Sequence, residues 1–377
     1  MKAKLLTAVF LGLLFTACTQ EPLFWYVSQE YPPIEPLIGG APTQIVDTTG
    51  VPNNTLYVAN RNSLWEYKHG VTNRWNQAGK PPGAEYIKAI AATTTPSMLY
   101  LLSENGDIYK FDGANWNSPV RIPGAQQVFG ANDKLFAGNG QNVYVYNGSG
   151  FDAIGGIGAD IPGGLLLGAA KAGSDYYICT AQINGDENTG IFRWDGGSTV
   201  TKVYSSSVKG IIAVGTPPET VVAVTGGTIV YQDSKTSFTT NPGSISPGVS
   251  FTGGMAAWEH GGDTKILLGL QDGSGTFRYG YRELDLDSGG NVVPPYIFVP
   301  GTTINRTPAT TSIDSGSRET SAIGKHPVTS LYAIKGSSSG DGAGRPIIFA
   351  STLRNGVWSY RTRRGVPQWN GEDNSTR

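Results

Sequence analysis

The sequence predicts an all-β fold, a seven-bladed β-propeller of four-stranded antiparallel blades. Three observations lead there. An apolar strand, a polar turn and a second strand with alternating aromatic or aliphatic residues recur seven times. Five of the six gaps between these units lie near 40 residues, a blade-sized period. No amphipathic helical stretch competes with them.

The units begin at Leu56 (LYVANRNSLWEY), Leu99 (LYLLSENGDIYKF), Leu135 (LFAGNGQNVYVY), Tyr177 (YICTAQINGDENTGIFRW), Val222 (VAVTGGTIVY), Ile266 (ILLGLQDGSGTFRYGYREL) and Ile348 (IFASTLRNGVWSY). Alternation around Asn-Gly, Gly-Gly or Asp-Gly marks each as a β-hairpin, because those residues adopt the left-handed geometry of tight strand connections. A run of small and aliphatic residues precedes every hairpin, at 44–49, 87–93, 126–132, 165–171, 209–215, 252–259 and 330–336. Such runs suit an innermost strand buried on both faces at a crowded axis. Fourth strands are weaker in the sequence: Trp75-Asn76, Trp116-Asn117, Phe151-Asp152 and Trp369-Asn370 mark four of them. An outer edge faces water and is the strand least constrained by packing. The long last gap spans 301–326, rich in Thr, Ser, Gly and Pro without paired apolar strands, and is expected to be a loop insertion; Ser337 to Gly344 is a second, shorter one. A β-solenoid and an eight-bladed ring are the competing architectures.

At the N-terminus, Lys2 and Lys4 precede an apolar run from Leu5 to Phe15, and small Ala17 stands before Cys18. This resembles a bacterial lipoprotein signal. The resemblance implies that residues 1–18 end at a lipidated Cys18, the mature first residue, carrying several acyl chains such as palmitate on its sulfur and amine. Multiple chains anchor stably, since each buried CH2 contributes about 0.8 kcal/mol. Phe15 departs from the aliphatic residue usual at that place, a relaxation similar to spirochaete lipoproteins. An ordinary secretory signal or a short anchor helix are the alternatives, although the run is shorter than the roughly 20 residues a spanning helix needs. Thr19, where enteric lipoproteins kept at the inner membrane have aspartate, points to the outer membrane of a bacterial envelope. Residues 19–42 carry prolines at 22, 32, 33, 36 and 42 and read as an extended tether. Within it LFWYV at 23–27 is apolar enough to dock or add a strand. The propeller is expected over 43–373, with a disordered tail at 374–377.

The chain has 28 basic and 29 acidic residues, and losing Lys2 and Lys4 with the signal leaves 26 and 29, a net charge of -3. At 15% charged residues this excludes a basic nucleic-acid-binding domain. The cluster Arg361, Arg363 and Arg364 reads as a solvated strand edge. With Cys18 assigned to lipid, Cys179 has no disulfide partner and reads as a small core residue; a catalytic thiol is its other reading.

Segments 105–116, 189–197 and 353–360 resemble repeats of tectonin-type, kelch-like and sialidase-type propellers, and 281–292 resembles quinoprotein-like repeats. Sialidase-like chemistry would need an arginine cluster, a tyrosine nucleophile and paired acids. The sequence does not place such groups together, and the turns at 103–107 and 352–356 lack the aspartate of an Asp-box. No catalytic, cofactor or metal residue is assigned. His69, His260 and His326 stand in separate repeats, Asp285, Asp287 and Asn291 reach Tyr296 where a calcium loop needs glutamate, and Asp186, Glu187 and Asn188 form an oxygen-rich turn. Trp65, Tyr109, Tyr144, Phe192 and Trp358 are expected in the interblade core, while Trp258, Tyr281 and Tyr296 fall where they could reach a surface.

The expected function is a membrane-anchored, non-enzymatic scaffold that binds protein partners in the envelope or on a host surface, with no nucleic acid and no cofactor. It resembles the lipoprotein propellers that scaffold outer-membrane β-barrel assembly, which have eight blades. A glycan-active hydrolase or lyase is the alternative, with glycan as the second ligand class.

Overall fold

The seven hairpins form the second and third strands of seven four-stranded antiparallel sheets, and the seven small-residue runs form their first strands. The computed structural model describes residues 38, 41–48, 55–72, 74–155, 165–181, 189–215, 220–225, 228–241, 249–260, 263–272, 278–286, 292–300, 327–334, 346–353, 356–363 and 366–371. Cys18, the segment 23–27, the insertion 301–326 and the tail 374–377 lie outside them. Among the described residues there is no helix.

In chain order the blades occupy 46–78, 87–121, 127–153, 165–204, 210–241, 249–300 and 328–371, numbered 1 to 7 below. Each is a simple meander, inner strand first. Alternating strand direction sends the turns between second and third strands, and the links to the next blade, to one face of the ring. The remaining turns open on the other face.

Seven separate apolar clusters fill the seven seams, each built from two adjacent blades. One joins blades 3 and 4 through Phe136, Val143, Ile178 and Trp194. Another closes the ring between blades 7 and 1 through Phe349, Val357, Leu56 and Tyr67. Among the described residues no strand is exchanged between the first and last blades, and that cluster and a few polar contacts join them. Ile45 N–H donates to Ser330 Oγ at 2.9 Å, and Tyr332 hydroxyl donates to Asp47 Oδ2 at 2.6 Å. Ile38 is fully buried in the same cluster, and its carbonyl accepts from Val357 N–H at 3.0 Å. Propeller packing therefore begins within the stretch read as tether.

The strands buried on both faces are the second ones, not the first. Asp175–Ala181 is buried at six consecutive positions, whereas the inner strand Leu165–Ala172 alternates between half-buried and buried. A second strand is sandwiched by neighbours on every side; an inner strand turns some residues to the open axis. Small residues are still required there, because the inner strands converge. A Cβ on Gly130 of blade 3 would lie 1.6 Å from the Ala92 carbonyl oxygen of blade 2.

One fourth-strand and one strand-edge expectation change. In blade 2, Trp116 makes one isolated bridge to Phe111 and the regular strand is Val120–Arg121. Pro119, which cannot donate to a ladder, separates the two. Arg361 and Arg363 lie on the third strand of blade 7, paired with Gln368 and Val366, and so are not on a sheet edge.

Candidate functional site

The inner strands of blades 3 to 7 and the residues preceding blade 1 line a cavity of about 350 Å³ on the axis. Most of its lining side chains are small or aliphatic, represented by Leu167, Gly168, Ile211, Ala256 and Ala333, with Gln44, Thr329, Ser330 and Tyr332 among them. Its polar side chains are engaged. Gln44 Nε2 donates to the carbonyls of Ile90 at 2.6 Å and Val128 at 3.3 Å, so this side chain crosses from blade 1 to the inner edges of blades 2 and 3. Tyr332 is committed to Asp47 and Ser330 to Ile45. Among the described lining residues there is no Arg, Lys, His, Asp or Glu.

The structure does bring acids, cations and tyrosines together, but at the seams. Between blades 3 and 4, Lys171 Nζ lies 2.7 Å from Asp133 Oδ1, and Tyr176 hydroxyl donates to both Asp133 oxygens at 2.9 and 2.8 Å. Between blades 4 and 5, Arg193 Nη2 donates to Asp175 Oδ1 at 3.2 Å. Arg193 Nε stands 3.1 Å from Asp175 Oδ2 in an ion pair that lacks hydrogen-bond alignment. Lys235 approaches the same carboxylate at 3.5 Å. Tyr177 hydroxyl receives a hydrogen bond from Gln232 Nε2 at 2.5 Å.

These groups are tuned for structure. Burial would raise the Asp133 carboxyl, but the hydrogen bonds from Lys171 and Tyr176 outweigh it and leave the group below its ordinary value. At Asp175 burial acts in the same direction and is outweighed by Arg193 and Lys235. Burial raises the hydroxyls of Tyr176 and Tyr177, and the adjoining carboxylates add to the effect. A nucleophilic tyrosine needs the opposite shift.

Cys179 is fully buried, its thiol is pushed up by burial, and its Sγ lies 3.7 Å from the Val208 carbonyl. It is a core residue. Trp65, Tyr109, Tyr144, Phe192 and Trp358 all belong to seam clusters, as expected. Tyr281 does not reach the surface: it is 3% exposed and packs between blades 6 and 7. Trp258 is half-buried, and the Tyr296 side chain lies outside the described residues. Among the described residues no three His, Cys, Asp or Glu converge. Asp287, Asn291, His326 and the turn 186–188 lie outside them.

Sequence reasoning missed Gln44 and the two seam networks. One signal was present: an aspartate opens the second strand or its turn at positions 133, 175 and 263, the same place in blades 3, 4 and 6.

A propeller whose described axial lining is uncharged and whose seams carry charge thus defines the class. No protein-family model matches the chain, and no curated protein matches it. Among solved structures it is similar to YCF48 bound to D1 peptide, with TM-score 0.52 and 12% identity over 88% of this chain and 98% of that one. It is similar also to PorZ, an essential bacterial surface component of the type-IX secretion system of Porphyromonas gingivalis. There the TM-score is 0.54 at 11% identity, over 90% of this chain and 39% of that one. Virginiamycin B lyase from Staphylococcus aureus gives 0.53 and 10% identity, over 88% and 99%. At such identities the likeness shows the fold and no activity.

Proposed function

We propose that this chain is a lipid-anchored, non-enzymatic propeller that binds protein partners in a bacterial envelope, at the outer membrane. The observation that carries the binding reading is the axial cavity, whose described lining offers one hydrogen-bonded tyrosine and no acid or cation. A sialidase-like hydrolase or a lyase needs those groups converging on substrate. Rigid blades holding loops on two faces suit recognition instead. Protein-associated neighbours support this use of the fold: one was solved with a peptide, and another is a bacterial surface component of a secretion system. The anchor rests on Lys2, Lys4, the apolar run and Cys18.

Envelope extracts passed over the immobilised full chain are expected to yield a partner that binds saturably; recovery of background proteins alone overturns the binding reading. Metabolic labelling with a palmitate analogue should mark the wild type and not Cys18→Ala, and an unlabelled wild type removes the anchor. Release of new reducing or unsaturated ends from envelope glycans would overturn the non-enzymatic reading.

A further inference from the structure

Arg61 and Tyr86 form an exposed pair on the face that carries the turns between second and third strands. The guanidinium carbon lies 4.6 Å from the centroid of the Tyr86 ring. Tyr86, at 39% exposure, is one of three exposed large hydrophobic residues among those described. Another, Leu353, occupies the corresponding turn of blade 7, next to blade 1 on the ring.

The pair stands on braced backbone. Ile87 N–H donates to the Arg61 carbonyl at 2.8 Å, and Glu104 N–H to the Tyr86 carbonyl at 3.1 Å, tying three connections of blades 1 and 2 together. The link 79–86 is pinned at its start by Trp116 Nε1 on the Gly79 carbonyl at 3.1 Å, and is spanned by Lys80 Nζ on the Glu85 carbonyl at 2.9 Å. Ala84 is buried in the seam between blades 1 and 2. The fixed link thus keeps part of a large aromatic ring open to solvent. Arg61 is absent from the ion pairs among the described residues; neighbouring Arg121 instead holds Asp107 at 3.3 Å.

We propose that the Arg61–Tyr86 pair anchors a carboxylate-bearing segment of a protein partner; this deepens the protein-binding reading and rests on it. An arginine placed over an aromatic ring is held there without spending its N–H donors, which can then meet a carboxylate, while the ring offers apolar contact beside it. Arg and Tyr are among the residue types that carry most interface energy, and the braced loops reduce the entropy lost on binding. The lysines nearest in sequence are engaged: Lys80 Nζ donates to the Glu85 carbonyl and Lys88 Nζ to the Ala125 carbonyl at 3.0 Å, which leaves the Arg61 guanidinium to meet a ligand carboxylate.

Random-sequence peptides immobilised through their N-termini, synthesised in parallel with free and amidated C-termini, serve as the probe. Bound peptides are expected to carry a carboxylate adjoining an apolar residue. Arg61→Gln and Tyr86→Ala should each weaken binding about tenfold or more, and Arg61→Lys should not restore it, since an ammonium lacks the planar fork. Loss on amidation assigns the carboxylate to the peptide terminus, and persistence assigns it to Asp or Glu. Unchanged melting temperatures would show the variants folded, as both side chains are exposed. Binding that ignores both substitutions, peptides lacking the carboxylate, or no bound peptide overturns the anchor. Envelope capture by the same variants separately reports whether the propeller binds protein at all.

Discussion

The seams between blades 3 and 4 and between blades 7 and 1 use the same aromatic device in different circumstances. In the first, Phe136 meets Trp194 edge-on at 5.9 Å and Tyr176 at 5.7 Å. In the second, Phe349 meets Trp75 edge-on at 5.7 Å and Tyr67 at 4.9 Å. Both trios present the positive ring edge to a neighbouring π face, a geometry worth about 0.5–1.5 kcal/mol beyond area burial. What surrounds them differs. Blades 3 and 4 are consecutive in the chain, and their seam adds the Asp133–Lys171 pair and the Tyr176 bond. Blades 7 and 1 are the two ends of the repeat, and Ile38 enters their seam from the N-terminal side. Each seam has a tyrosine–aspartate bond, Tyr332 to Asp47 or Tyr176 to Asp133; the one without chain continuity adds a buried plug, the other a lysine.

The strongest way to break the comparison is to remove the two phenylalanines. Phe349→Ala and Phe136→Ala should each cost about 3–5 kcal/mol, because both leave a cavity in a packed cluster. The consequences should diverge. Losing Phe349 should open amide exchange first in blades 7 and 1, since nothing covalent holds them, whereas losing Phe136 should lower the whole transition. Hydrogen exchange at residue resolution checks this, and identical exchange patterns would show that chain continuity is irrelevant. Ile38→Ala follows at about 2–4 kcal/mol, again localised to blades 7 and 1, because the side chain is fully buried. An unchanged denaturation midpoint would show that Ile38 is not a plug.

How much of this could be read beforehand depends on the range of the interaction. Hairpins such as 99–111 were legible because alternation and turn residues are local signals, and all seven became the second and third strands of their blades. The double burial of Asp175–Ala181 was not, because it depends on neighbouring blades. Nor was the place of Tyr281, which becomes core only when its strand pairs Gly269 with Tyr281 and faces blade 7. The closing contacts join residues 285 positions apart, such as Ile45 with Ser330, where no local pattern exists. The candidate binding pair was similarly hidden: Arg61 and Tyr86 look like ordinary loop residues until a link between blades brings one over the other.

The tryptophans sharpen the comparison at a smaller scale. Trp194 Nε1 donates to the Gly197 carbonyl at 2.9 Å, whereas Trp75 Nε1 is buried without a hydrogen-bond partner. Replacing either by Phe removes similar apolar area. Trp75→Phe also removes an unsatisfied donor, so it should cost roughly 1 kcal/mol less than Trp194→Phe. Paired denaturant titrations test the order, and a reversed order would mean that Trp75 has a partner in solution.

The smallest effect is acidic. Asp133 has a depressed folded-state value, so its stabilisation is present above the unfolded carboxylate value, near 3.9, and is lost as pH falls through the folded one. Its pair with Lys171 is partly exposed, with side chains 30% and 23% accessible, which limits the loss to about 1 kcal/mol or less. Asp133→Asn should remove that amount at neutral pH and flatten the seam's response below about pH 4. Exchange should then rise at blades 3 and 4 on acidification in the wild type and show no such rise in the variant. An acid response that persists in Asp133→Asn would move the titrating group elsewhere, with Asp175 beside Arg193 in the next seam the first residue to substitute.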